Sequence, residues 1–215
     1  MQIAVVDLGV GNLRSVEQAV RTVSDANVVV TADAQAISSA DKLVLPGQGA
    51  VGSWFRELDA RGVRTAVIDA LAQKPVLGIC VGMQALFSFC EEDGGIKGLG
   101  VFDGEVRHFR QFHSPEPEQK ISIPQMGWNQ VSQDNDHPLW QDIDNHSHFY
   151  FLHSYCANLK DETDSEIVVG SADYHHRYIA AVAHNNVFAT QFHPEKSHND
   201  GLQLMRNFCA WNGTY

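Results

Sequence analysis

The chain has 215 residues, 44 % of them hydrophobic and 19 % charged, an ordinary globular balance that argues against disorder and fits a single domain over residues 1–215. Fifteen Lys and Arg against 26 Asp and Glu leave a net charge of −11, so long-range repulsion opposes nucleic acid or an anionic membrane as partner. Cys80, Cys90, Cys156 and Cys209 are too sparse for a disulfide framework, the first residues lack a basic leader, and no apolar run approaches the ~18 residues of a membrane span, which together predict a reduced, cytoplasmic protein.

In the first half, short apolar runs alternate with helical patterns. Ile3–Val6 reads as a buried strand ending at Asp7, followed by a helix with Leu13, Val16, Ala19, Val20 and Val23 on one stripe. Val28–Val30 and Leu43–Leu45 are further strands, the latter stopped by Pro46-Gly47. Trp54, Phe55, Leu58, Val63, Val67 and Leu71 suggest one or two helices. Pro75–Ile79 is a fourth strand, running into a helix that carries Met83, Leu86 and Phe87. Strands without polar alternation, joined by helices, predict an α/β fold: a mostly parallel central sheet flanked by helices.

The second half adds antiparallel signals. Strands are expected at Val101–Phe109, Gly127–Val131, Phe149–Ala157 and Ile167–Ser171, with Tyr178–Ala183 and Val187–Phe192 joined by a tight turn at His184-Asn185-Asn186. Gln111–Lys120 and Ser132–His148 read as exposed loops, and residues 199–211 as a closing helix with Leu202, Met205, Phe208 and Cys209 inward.

Gly78-Ile79-Cys80-Val81-Gly82 lies where a buried strand turns into a helix, the cysteine form of a nucleophile elbow. The glycines leave room for a tight turn, and the helix start directs N–H groups at the sulfur, favouring the attacking thiolate. The Val81 N–H is placed to hold an oxyanion. A proton carrier is supplied by Phe192-His193-Pro194-Glu195, where residues two apart in extended chain bring Glu195 to the His193 imidazole. The glycines of Leu45-Pro46-Gly47-Gln48-Gly49-Ala50 let peptide planes turn a second donor inward.

Taken together, Pro46–Gly49, Gly78–Gln84 and Phe192–Ser197 resemble the class I (triad) glutamine amidotransferases, over essentially the whole chain. Asp7–Val16, Pro124–Asn129 and Tyr150–Tyr155 are similar to the glutaminase subunits of imidazole glycerol phosphate synthases. The resemblance implies hydrolysis of L-glutamine through a thioester on Cys80, with His193 as acid/base, Glu195 orienting it, and no cofactor or metal. It implies an oxyanion hole at Gly47, Gln48, Gly49 and Val81. Gln84, Glu92, Ser154 and Tyr155 would hold the glutamine, with Glu91 open as an alternative to Glu92 for its ammonium. Ammonia would pass through a tunnel to a (β/α)₈ cyclase subunit, forming a heterodimer in histidine biosynthesis, with Asn12, Gln125, Met126 and Trp128 toward that partner. Leu8, Gln48 and Gln125 stand where this family more often has Tyr, Val and His.

Other readings fit less well. Gly9-Val10-Gly11 suggests a dinucleotide loop, but Arg14 occupies the third glycine position. His146, His148, His153, His175 and His176 lack clustered cysteines and read as solvated histidines rather than metal ligands. A related amidotransferase serving surface-sugar amidation, a free-standing cysteine hydrolase and a catalytically silent binding subunit share parts of the pattern; the last should have lost a triad member.

Overall fold

The computed structural model describes residues 1–112, 122–159 and 162–214. It begins with β1 (Gln2–Val6), whose Ile3, Ala4, Val5 and Val6 are buried, as the unbroken apolar run requires of a central strand. The first helix, α1 (Leu13–Val23), is capped by Asn12, whose side-chain oxygen accepts from the Ser15 N–H at 3.3 Å, and it buries Val16, Ala19 and Val20. Then follow β2 (Asn27–Thr31), α2 (Ala34–Ser39), β3 (Lys42–Gly47), α3 (Val51–Ala60), α4 (Arg64–Gln73) and β4 (Val76–Cys80). After the single turn α5 (Val81–Gln84) come β5 (Phe87–Cys90), β6 (Ile96–Lys97) and β7 (Phe102–His108). The remainder is β8 (Gln125–Gln130), β9 (Ser132–Gln133), β10 (His148–His153), β11 (Tyr155–Leu159), β12 (Val168–Asp173), β13 (Arg177–His184), β14 (Val187–Thr190) and α6 (His198–Ala210).

The main sheet runs β2-β1-β3-β4-β14-β13-β11-β7-β5-β6, with β12 and β9 branching from β13. The pairs from β2 to β14 are parallel, and β13 turns back antiparallel through Asn185-Asn186, where Asn185 takes φ 51°. A separate antiparallel pair, β8 with β10, lies off this sheet. One buried cation ties the ends of the fold together: Lys42 Nζ donates to the carbonyls of Phe208 (3.0 Å), Cys209 (2.7 Å) and Trp211 at the end of α6. Those carbonyls would otherwise lack partners, and a lysine there also complements the negative end of the helix.

Four expectations need correction. Pro46 and Gly47 belong to β3 rather than ending it; β1 pairs with β3 only as far as Val44, so the missing proline N–H falls on an unpaired side. The helix after Cys80 lasts one turn, and Phe87 already lies in β5, because its apolar run pairs with β7. The expected strand Phe149–Ala157 breaks at Ser154 into β10 and β11, which join different sheets. The segment 132–148 is not simply an exposed loop: it buries His137, Leu139, Trp140 and Ile143, and the Trp140 indole donates to Val169 O at 3.0 Å. Of the expected loop at 111–120, residues 113–120 lie outside the described residues.

His137 packs against Phe188 and Trp211 while its Nδ1 accepts from the Leu139 N–H at 3.1 Å. Burial lowers its pKa from 6.5 to about 4. The folded chain therefore keeps it neutral where the unfolded chain protonates it, so its contribution is full above pH 6.5 and drains away as pH falls toward 4. Between pH 7 and 5 this one group should cost about 2 kcal/mol of stability. Urea unfolding at both pH values should show that loss reduced in His137→Asn, which retains an acceptor for Leu139; an unchanged pH dependence would refute the assignment.

Candidate active site

The carboxyl ends of β3, β4 and β14 meet at one edge of the sheet. Gly47 stands opposite Cys80, and Ile79 opposite Thr190, so the residues leaving all three strands converge there. Ligand sites of open parallel sheets form at this edge because the diverging loops leave a crevice.

Cys80 adopts φ 55° and ψ −107°, a conformation that costs a non-glycine residue about 1–3 kcal/mol and is kept only where the surroundings enforce it. The enforcement comes from close packing on both sides. A Cβ on Gly82 would lie 1.8 Å from Leu45 O, and one on Gly78 would lie 3.0 Å from the Ala189 Cβ. One helical turn carries little macrodipole, so the electrostatic support expected from a longer helix has to come from elsewhere.

That support is His193. The residue is 1 % exposed, its backbone N–H donates to Tyr150 O at 2.9 Å, and its carbonyl accepts from the Ser197 hydroxyl at 2.6 Å. Pro194 begins a 3₁₀ turn that folds Glu195 back, placing its Oε1 2.8 Å from His193 Nδ1. The other ring nitrogen, Nε2, makes no hydrogen bond of ordinary geometry, and the ring is coupled to the Cys80 sulfur. Burial alone would lower the His193 pKa; the charge of the nearby Cys80 sulfur, with the hydrogen bond and charge of Glu195, overrides it and raises the value to about 10.

Two other histidines show what this arrangement adds. His153, expected to be solvated, is buried; with only the Tyr155 carbonyl on its Nδ1 at 2.7 Å, burial lowers its pKa to about 3 and keeps it neutral. His176 lies 3.7 Å from Cys156, whose thiol burial pushes up to about 12.

The Cys80 sulfur opens into a cavity of about 380 Å³ lined by Gln48, Gly49, Val81, Gln84, Glu92, Leu152, His153, Ser154 and Tyr155, among others. Seven residues expected from sequence as oxyanion or glutamine ligands thus line the same cavity as Cys80: Gln48, Gly49, Val81, Gln84, Glu92, Ser154 and Tyr155. Gly47 lies behind it, paired with Cys80. Glu92 accepts from the Val51 N–H at 2.8 Å, and burial raises its pKa. Glu91 turns away to the His108 N–H and Gln111, which favours Glu92 as the carboxylate facing a ligand. A larger groove of about 750 Å³ between α1 and α6 has no cysteine in its lining.

The four residues expected at a partner face are dispersed. Asn12 caps α1, while Met126 and Trp128 are exposed on β8, with Trp128 stacked on His198 at 4.9 Å. Gln125 is buried, because alternation along β8 turns it inward. It reaches that face only through its neighbours. Sequence reasoning missed Leu152, whose carbonyl lies 3.8 Å from the Cys80 sulfur, and Gln191, whose amide lies 3.7 Å away. The available signal was Thr190-Gln191, two polar residues in an otherwise apolar run. Among the described residues no cluster suited to a metal ion occurs, and no helix is long and apolar enough to cross a membrane.

A cysteine on a strained strand-to-helix turn, a carboxylate-paired imidazole and a cavity beside them on a parallel sheet are the parts that cysteine-dependent amide hydrolysis requires. The family described as glutamine amidotransferase class-I matches residues 4–211, and the chain belongs to it. Within that family it groups with the HisH subunits of imidazole glycerol phosphate synthase. It is 48 % identical to the HisH protein of Dechloromonas aromatica over 97 % of this chain and 96 % of the relative. With that of Nitrosomonas europaea the identity is 49 %, over 97 % and 98 %. The fold is shared with PurLQS from Thermotoga maritima (TM-score 0.69, 18 % identity, 97 % of both chains). It is shared also with a glutamine amidotransferase from the same organism (TM-score 0.59, 14 % identity, 91 % of this chain and 76 % of the other).

The elbow packing makes a direct prediction. Gly82→Ala must push Leu45 and β3 aside, and thermal unfolding should show a loss of about 3 kcal/mol or more. Gly49→Ala, which meets open space at φ 83°, should cost only the ~1 kcal/mol of its backbone conformation. Equal, small effects would contradict the packing described.

Proposed function

We propose that the chain is the glutaminase subunit of an imidazole glycerol phosphate synthase, releasing ammonia from L-glutamine for a cyclase subunit in histidine biosynthesis. The observation that carries the reading is the His193 imidazole held between Glu195 and Cys80, beside a cavity that also presents Glu92.

In the first step the Cys80 sulfur attacks the side-chain carbonyl carbon of glutamine, forming a C–S bond. The oxyanion is held by the Val81 N–H and a donor from Gly47–Gly49. His193 gives its proton to the departing nitrogen, the C–N bond breaks, and ammonia leaves. His193 then takes a proton from water, whose oxygen attacks the thioester, and returns it to the sulfur as glutamate is released. Glu195 holds the imidazole in one tautomer and stabilises its charged form through both steps. Glu92 receives the substrate ammonium, and burial strengthens that pairing.

The partner belongs on the face bearing Met126 and Trp128. Both are large, apolar and exposed, and a rigid aromatic backed by His198 is suited to anchoring an interface. The reading thus extends to a heterodimer with a (β/α)₈ cyclase, in which ammonia travels between subunits without entering bulk water.

A single substitution tests the central role. In the complex with the cyclase, Cys80→Ala should lower glutamine-driven synthesis by about 10³-fold or more while synthesis from ammonium salts continues. Glutamine-driven turnover surviving in that variant would refute Cys80 as nucleophile. Loss of both activities in a properly assembled complex would refute the division of labour between the subunits.

A further inference from the structure

Gln191 leaves β14 immediately after Thr190, which is in register with Ile79, and so stands level with Cys80 on the neighbouring strand. It is fully buried, and its backbone N–H remains bonded to Ala180 O at 2.8 Å. A buried primary amide needs several partners, and this one makes two contacts with the site. Its Oε1 accepts from Gln84 Nε2 at 2.9 Å, and its Nε2 points at the Cys80 sulfur, 3.7 Å away.

The orientation of both amides follows from one atom that cannot change role. Gln84 Nε2 also lies 3.3 Å from the Tyr155 carbonyl, which can only accept a hydrogen bond. Gln84 must therefore turn its nitrogen toward Tyr155 and Gln191. Gln191 must answer with its oxygen, which leaves its N–H group directed at the sulfur. A donor fixed there favours the charged sulfur, an acceptor, over the neutral thiol. Using the Gln84 nitrogen in this way also leaves the Gln84 Oε1 to receive a donor from a ligand in the cavity that Gln84 lines.

We propose that Gln191 is a positioning residue of the glutaminase site, holding an N–H on the Cys80 sulfur and setting the Gln84 amide so that its oxygen meets the substrate. The role rests on the amidotransferase reading above. It acts through two separable contacts, one on the nucleophile and one on the substrate ligand.

Two variants of the chain in complex with its cyclase separate those contacts. Gln191→Glu keeps an acceptor for Gln84 but places a carboxyl group at the sulfur. Gln191→Met is similar in volume and removes both contacts. Alkylation of Cys80 by iodoacetamide, followed against pH, should shift its midpoint upward by about one unit in Gln191→Met, a tenfold loss of thiolate below the midpoint, and further in Gln191→Glu. The KM for L-glutamine should rise several-fold in Gln191→Met and stay within about twofold of wild type in Gln191→Glu. Folded variants retaining the wild-type midpoint and KM overturn the role of Gln191 alone. A wild-type complex that neither hydrolyses glutamine nor alkylates at Cys80 overturns the underlying reading instead. Should the variants fail to fold, the Gln191 side-chain amide signal in ¹⁵N-glutamine-labelled wild-type protein decides. Movement of that signal with the alkylation midpoint supports the contact, and its indifference to pH there overturns it.

Discussion

The site depends on the register between β4 and its two parallel neighbours. Because Gly47 pairs with Cys80, and Thr190 with Ile79, the three chain exits emerge side by side, and each supplies a different need. One exit brings glycine peptides, another the sulfur, and the third an amide and then an imidazole. A slip of one residue in a parallel strand would turn its side chains to the opposite face. The residues of β3, β4 and β14 are buried on both faces, so such a slip would exchange the side chains packed in the two layers and present the wrong residue at the edge. Stability of the core and precision of the site are thus set by the same hydrogen bonds.

Electrostatics follow from this placement. The eleven histidines of the chain start from one chemical type, and their surroundings sort them. His153 and His137 lose water, and burial lowers their pKa values and holds them neutral. His193 loses water as completely but gains the Glu195 carboxylate on one side and the sulfur on the other. Desolvation penalises an isolated charge and strengthens a paired one. Burial alone silences His153, whereas at His193 the two partners outweigh it and the pKa rises.

The elbow and the His-Pro-Glu turn were legible in the sequence because their roles are local: glycines two residues either side of Cys80, and a carboxylate two residues beyond His193. The alternating elements of the first half were legible for a similar reason, since an apolar strand in a parallel sheet repeats no polar positions. Long-range features left weaker marks. Gln191 is a single polar residue whose meaning comes from β4 and from Tyr155, far away in sequence. The division of Phe149–Ala157 into two strands depends on which partners are available, β8 for one half and β7 with β13 for the other. Burial of His137, Leu139, Trp140 and Ile143 was hidden because apolar side chains are interspersed with Asp, Asn and His. The length of α5 was misread because Leu86-Phe87 satisfies helical spacing and strand pairing equally well.

The separate pair β8 and β10 gives the molecule its second constraint. In register, Trp128 faces Tyr150 and Met126 faces Leu152, so the exposed apolar residues of β8 sit directly across from the strand that runs into the cavity. The Leu152 carbonyl and His153 at the end of β10 line the space beside Cys80, and Gln125 pairs with His153 itself. Lys196, one residue beyond Glu195, lies 5.8 Å over the Tyr150 ring, joining the turn that follows His193 to the same strand. Ladder hydrogen bonds therefore connect the exposed face of β8 directly to the cavity wall formed by Leu152 and His153. The elbow lies on the opposite side, fixed by Gly82 against Leu45 and by the parallel sheet. The cavity is thus bounded on one side by Cys80, packed into the parallel sheet, and on the other by the end of β10, whose partner strand carries the exposed Met126 and Trp128.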